Sequence, residues 1–173
     1  MLSNRREAVK RLPPQNRQNG FVLLELALAA MFLISMSTAI LVSVNSLQRY
    51  CYKNQLRLAA DMLAADIRWV QQDTMFSAEQ AAKTLTVSNN DVRSYSIYTD
   101  RVRSTLYKQV VFADCGYDNV YFSQYLYSVS FYKNGSPMAN GSYQLRHKKL
   151  ANFYCKLSLQ PVTGRVTVTE YGS

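Results

Sequence analysis

The sequence predicts an α+β protein in which a long amino-terminal α-helix packs on an antiparallel β-sheet head. Residues 21–44 are an apolar run of 24 residues with a single charge. Residues 45–73 contain no Gly and no Pro and are rich in Leu, Ala, Gln and Arg, so the helix is expected to continue. After about residue 83, apolar and polar residues alternate with the period of two that is typical of β-strands.

The apolar run is long enough to cross a bilayer, because a helix of that length rises about 36 Å. The first 20 residues hold five basic residues and one Glu, so they carry +4 of the formal net charge of +9. Basic residues beside a span stay in the cytoplasm. We therefore expect a single-pass protein of the cytoplasmic membrane, with its amino terminus inside and its head extracytoplasmic. Pro13-Pro14 argues against regular structure before the span.

The single charge of the apolar run is Glu25, which follows Gly20-Phe21. A carboxylate inside such a span costs about 2.5–3.5 kcal/mol or more unless it finds a partner. This segment resembles the processing site of the type IV pilin superfamily. In that family a prepilin peptidase cuts after a Gly, the new terminal Phe is N-methylated, and the fifth residue of the mature chain is Glu. The resemblance implies cleavage after Gly20, methylation of Phe21, and pairing of Glu25 with the amine of a neighbouring subunit.

Three other interpretations compete with prepilin processing. A plain signal anchor would leave Glu25 without a role, and this alternative stays open. A Sec signal peptide would be cut after Ala29, but apolar sequence continues for 15 residues beyond it, whereas such segments end before their cut. A buried helix of a soluble protein seldom runs 24 residues with apolar groups on all sides.

The second half of the predicted helix carries two apolar rows about 150° apart. The first row is Leu58, Met62, Ala65 and Trp69, and the second is Leu56, Ala60, Leu63, Ile67 and Val70. In a pilin, one such face packs on the head and the other on neighbouring subunits; the alternative is a single wide core face. The predicted organisation is a leader (1–20), a transmembrane half of the helix (21–44), an amphipathic half (45–75) and a β-rich head (76–173).

Seven segments of the head are predicted to be strands. They are Leu85–Val87, Tyr95–Tyr98, Leu106–Phe112, Ser128–Lys133, Tyr143–Leu145, Phe153–Leu159 and Arg165–Thr169. Asn134-Gly135 and Asn140-Gly141 are typical turn pairs, and the segment from Pro161 to Gly164 is expected to join the last two strands. Because no helices separate them, the strands are expected to pair antiparallel.

The end of the head carries a second resemblance. Val129-Ser130-Phe131 before Asn134-Gly135, then a basic strand and Thr163-Gly164-Arg165-Val166, are similar to the H-type pseudopilins. That group includes the type II secretion pseudopilin, FimT-like minor pilins and a competence-pilus component. The resemblance implies a filament of other pilins or pseudopilins as partner, with an assembly platform in the inner or cytoplasmic membrane. It leaves open whether the system is a pilus, a secretion pseudopilus or a competence pilus.

Basic residues near the carboxyl terminus are candidate DNA contacts. They are Arg146, Lys148, Lys149, Lys156 and Arg165. Binding through them would be weak, independent of base sequence and sensitive to salt. Some DNA-binding minor pilins carry a second basic residue two positions after the Arg of the ending, where this chain has Thr167. A solvated basic face is therefore favoured over DNA binding.

The three cysteines and the only histidine give no metal-binding spacing. Cys115 and Cys155 both lie in the predicted head, so they are the favoured disulfide pair if that side is oxidising; three free thiols remain the alternative. His147 lies among basic residues and is predicted to be solvated.

The sequence holds no P-loop, dinucleotide fingerprint or nucleophile elbow. We therefore expect no enzyme and no cofactor, but a substrate of prepilin peptidase that becomes a building block. The alternative from another class is a single-pass, membrane-anchored binding module that keeps its leader and does not polymerise.

Overall fold

The computed structural model describes residues 17–77, 82–88, 91–100 and 102–172, with side chains from residue 21 onward. A single helix, α1 (Arg17–Phe76), accounts for 60 of these residues. Most of the predicted leader, residues 1–16, lies outside the described residues. The chain divides between Ser46 and Leu47 into two units. The first contains the apolar part of α1, and the second contains the rest of α1 and all the strands.

The head contains eight strands within its described residues. They are β1 (Thr84–Val87), β2 (Ser94–Tyr98), β3 (Leu106–Val111), β4 (Val120–Gln124), β5 (Ser128–Ser130), β6 (Gly141–His147), β7 (Tyr154–Leu159) and β8 (Val166–Tyr171). They form two four-stranded sheets with the orders β3-β2-β1-β5 and β4-β6-β7-β8. Every pairing is antiparallel. The predicted α+β class and antiparallel pairing are confirmed, and the strands are shared between two sheets.

The structure differs from the sequence prediction at three places in the head. Strand β4 was not predicted, because Val120-Tyr121-Phe122 has no apolar–polar alternation to signal it. Strand β5 ends at Ser130, and beyond it Phe131 makes only an isolated bridge to Pro137. The Asn140-Gly141 pair is not a hairpin turn, since Gly141 begins β6 and the preceding strand, β5, belongs to the other sheet.

One face of α1 forms the core of the second unit. The buried apolar residues of the helix are Leu56, Ala59, Ala60, Leu63, Ala64, Ile67 and Val70, all at most 1% exposed. They include the whole second apolar row and join the inward side chains of both sheets in one cluster. In the first row Leu58 is 46% exposed and Ala65 is also exposed, while Met62 and Trp69 are half-buried against the same core. The core face of α1 is therefore wider than the second row, and Leu58 and Ala65 stay outside it.

Polar contacts fix α1 over both sheets. The guanidinium of Arg57 donates two hydrogen bonds to the carboxylate of Glu170 on β8, at 2.5 and 2.6 Å. Asp66 accepts one from the Tyr95 hydroxyl at 2.7 Å and others from the Lys108 ammonium at 2.8 Å. Burial, and then the hydrogen bond to Asp66, raises the pKa of Tyr95. The helix is thereby tied to β8 of one sheet and to β2 and β3 of the other.

Near its carboxyl-terminal end, α1 forms hydrogen bonds with two turns of the head. The side-chain amide of Gln71 donates to the Gly135 carbonyl at 2.7 Å and to the Thr163 carbonyl at 3.0 Å. Gly164, in the β7–β8 turn, has a φ of +65°, which favours glycine. A Cβ at Gly164 would lie 2.3 Å from the Gly135 carbonyl oxygen. Glycine is therefore required at position 164 by both backbone conformation and space.

Candidate functional site

The hydroxyl groups in the apolar part of α1 form hydrogen bonds within the helix itself. Ser35, Ser37, Thr38 and Ser43 each donate to a backbone carbonyl three or four residues earlier, at 2.6 to 2.9 Å. Such back-bonding is the usual way for a hydroxyl to be satisfied inside a helix. The four hydroxyls therefore need no partner from outside the helix, even in an environment without water.

Glu25 is the exception in this segment. Its side chain is exposed and makes no hydrogen bond or ion pair with any described part of the chain. Phe21 lies four residues earlier, on the same side of the helix, and is 76% exposed. Gly20 also lies within α1. The three residues of the candidate processing site thus lie in one helix, and the described residues offer its carboxylate no partner.

The segment around Glu25 presents apolar surface in all directions. Every residue from 21 to 50 is exposed. Large side chains such as Leu23, Phe32 and Leu41 keep 63–72% of their surface exposed. Helix α1 is the one described helix that is long and apolar enough to cross a membrane. Since burying such surface is strongly favourable, lipid or other protein chains are the surroundings that suit it.

The five candidate DNA contacts are only partly brought together. Arg146 on β6 and Lys156 on β7 alternate with the buried Leu145, Cys155 and Leu157, so they lie on the outer face of the sheet β4-β6-β7-β8. Lys148 and Lys149 are exposed in the turn that follows β6, and Arg165 is exposed immediately before β8. Within the strands themselves, the outer face therefore holds two of the five.

Arg146 belongs to a row of side chains that sequence reasoning missed. Tyr121, Arg146, Tyr154 and Tyr171 are register partners on β4, β6, β7 and β8, and we call this row the tyrosine ladder. The rings of Tyr154 and Tyr171 are stacked, with centroids 5.0 Å apart and planes 13° from parallel. The Arg146 guanidinium carbon lies 5.3 Å from the centroid of Tyr154. Three adjacent strands thus carry a continuous stack of one cation and two rings.

No protein-family model, curated protein or solved structure matches this chain. The resemblance at Gly20, Phe21 and Glu25 therefore rests on the sequence alone. The apolar surface of α1 and the outer face of the sheet β4-β6-β7-β8 are the structural features that bear on function.

The three cysteines are free thiols in the structure, with Cys51 and Cys115 exposed and Cys155 buried. The proposed pairing of Cys115 with Cys155 is not present. Burial raises the pKa of the Cys155 thiol to about 12, which keeps it protonated and unreactive at neutral pH. Among the described residues, no group of three or more His, Cys, Asp or Glu side chains is placed to hold a metal ion.

His147 is buried, so the prediction that it is solvated is wrong. It is the last residue of β6 and is 1% exposed. Its ring stacks on Tyr52 of α1 with centroids 4.7 Å apart, and its Nδ1 accepts a hydrogen bond from the Lys149 backbone N–H at 3.2 Å. Its Nε2 is shielded from solvent and has no hydrogen-bond partner in the described part of the chain. The alternation of β6 turns His147 inward although the residues beside it in sequence are basic.

We expect His147 to make the head less stable at acid pH. Burial, and then the charge of Lys149, lowers the pKa of His147 below its ordinary value of 6.5. The unfolded chain therefore binds the proton first, and stability is lost as pH falls below about 6.5. The melting temperature of the full chain in detergent should fall between about pH 7.5 and pH 5, and should fall less in His147→Gln. Equal slopes in the two proteins would contradict this expectation.

Proposed function

We propose that the protein is a minor pilin or pseudopilin that is cut after Gly20, methylated at Phe21 and assembled into a filament. Residues 21–44 hold the subunit in the cytoplasmic membrane before assembly, with the head outside. The observation that carries the proposal is Glu25. It is the one polar side chain between Phe21 and Val44 for which the structure provides no hydrogen bond.

Glu25 needs a partner because burying its charge in the apolar span is unfavourable. An unpaired carboxylate in a span is unfavourable by several kcal/mol, while a cation within a few ångströms recovers much of that cost in a low dielectric. Cleavage after Gly20 creates such a cation, the free amine of Phe21. Pairing Glu25 with the Phe21 amine of a neighbouring subunit satisfies both groups and fixes the axial register of the subunits.

Two exposed apolar residues of α1 support assembly rather than an isolated anchor. Leu58 and Ala65 remain exposed on the helix, although Met62 and Trp69 of the same row pack against the head and the second row is fully buried. Apolar side chains at helical spacing that the fold leaves open are suited to contact with another helix. A neighbouring subunit of the filament supplies such a helix.

The decisive test of processing is the amino terminus of the chain. We expect coexpression with a prepilin peptidase to remove residues 1–20 and to leave a methylated Phe21, read by intact-mass and peptide spectrometry. Gly20→Leu should keep its leader, because a bulky side chain at the cleaved position would not fit a subsite that suits glycine.

The matched control is Ala29→Leu, which introduces the same side chain nine residues later. It should be processed normally. Cutting of the wild type after Ala29, blocked by this substitution, would identify a Sec signal peptide. A wild-type chain that keeps its leader would overturn the proposal and favour the membrane-anchored binding module.

A further inference from the structure

We infer that the outer face of the sheet β4-β6-β7-β8 binds an acidic polysaccharide, with Arg146 and Lys156 contacting its carboxylates. The inference concerns the head alone and goes beyond assembly into a filament. It rests on the charge of this face, on the orientation of its rings and on the polar groups between them.

The face carries positive charge that nothing in the described chain neutralises. Arg146 and Lys156 make no ion pair there, whereas Arg57, Lys83 and Lys108 are each paired with a carboxylate. The other outward positions of β6, β7 and β8 are occupied by tyrosines and by uncharged Ser142, Gln144, Ser158, Thr167 and Thr169. Glu170 turns to the other side, towards α1. The electrostatic complement of this face is therefore an anion.

The orientation of the ladder argues for oxyanion recognition over base stacking. The ring of Tyr154 is stacked with Tyr171 of β8, and the guanidinium of Arg146 on β6, the strand at the other side of β7, lies over the same ring. Platforms for single-stranded nucleic acid need open ring faces. A ligand lying on this sheet instead meets the guanidinium N–H edge and the phenol hydroxyls, which are hydrogen-bond donors to carboxylates.

Arg146 is held in place before any ligand arrives. Its Nε is shielded from solvent and has no hydrogen-bond partner among the described residues, and its planar group lies over the ring of Tyr154. A cation fixed in this way loses little conformational entropy on binding.

The arrangement of the two cations suits a chain of sugars. Arg146 and Lys156 are diagonal neighbours on adjacent strands, roughly 7–8 Å apart at the backbone, because Lys156 is opposite Gln144 in the register. The amide and hydroxyl groups of Gln144, Ser158 and Thr169 surround them. An acidic polysaccharide presents carboxylates at intervals with hydroxyl groups between them, and so offers partners to both kinds of group.

The test is binding of labelled polygalacturonate oligomers to the full chain in detergent, at low and high salt. Arg146→Gln and Lys156→Gln should each weaken binding about tenfold, which corresponds to the loss of one charge-assisted hydrogen bond. Arg49→Gln and Lys133→Gln remove the same charges from exposed positions on α1 and in the turn after β5, off this face, and should leave binding unchanged. Thermal melting checks that all four variants are folded.

Three outcomes would overturn the inference. Equal weakening by all four substitutions would show general attraction to a basic protein, to which the leader also contributes. Tighter binding of single-stranded DNA with the same dependence on Arg146 would assign the face to nucleic acid. Absence of polygalacturonate binding, or equal binding of neutral dextran, would show that carboxylates are not recognised.

Discussion

Leu63→Ala is expected to lower the free energy of unfolding of the head by about 2–5 kcal/mol, the cost of a cavity in a closed core. Leu63 is fully buried on the face of α1 that packs on both sheets. Near-ultraviolet circular dichroism of the full chain in detergent, followed through a denaturant titration, measures the change. The transition midpoint should fall, because the loss is a large part of a domain's total stability.

The matched control is Leu58→Ala, which removes the same atoms from the same helix. Leu58 is 46% exposed at a position of α1 that the head leaves uncovered, so its loss should cost far less. Equal destabilisation by the two substitutions would show that Leu58 also belongs to the core. The same Leu58→Ala protein should assemble poorly if this exposed position contacts a neighbouring subunit.

Glu25→Val is expected to abolish incorporation into filaments while membrane insertion stays intact or improves, because a charge leaves the apolar span. Cleavage after Gly20 should persist, since the cleaved bond and the residues beside it are unchanged. Filaments sheared from cells and probed for the chain measure incorporation, and membrane fractions measure insertion. Restoration by Glu25→Asp would further indicate that the carboxylate itself is needed.

The control for this experiment is Ser37→Ala, which removes a polar group from the same span. The Ser37 hydroxyl is already bonded to the Leu33 carbonyl at 2.6 Å, so assembly should be unaffected. Incorporation of Glu25→Val at the wild-type level would refute the pairing role. Loss of insertion in Glu25→Val would place the carboxylate in membrane targeting instead.

Periodicity made α1 and most strands predictable, because each depends on residues near one another in the chain. The row from Leu56 to Val70 was placed correctly as one helical face, and the alternation of β8 was visible in the sequence. Strand β4 was not predicted, because Val120, Tyr121 and Phe122 are consecutive apolar residues and show no alternation. The division of the strands into two sheets depends on long-range packing, which local patterns do not encode.

The same distinction separates the two candidate sites. Gly20, Phe21 and Glu25 are close in sequence, so their spacing could be read directly. The tyrosine ladder joins residues 50 positions apart through the register of four strands, and of its four residues only Arg146 was a predicted contact. His147 was misjudged for a related reason, because its basic neighbours in sequence point to solvent while its own ring lies under α1.

The hydrogen bonds of Gln71 to the turns at Gly135 and Thr163 explain why the Thr-Gly-Arg-Val segment contains its glycine. Gly164 lies where α1 and both sheets meet, and any side chain there would collide with the Gly135 carbonyl. Replacing this glycine would separate the layers of the head before it altered any exposed surface. The Gly of the Thr-Gly-Arg-Val ending is therefore explained by the packing of this head, and its presence carries no information about the ligand that the head binds.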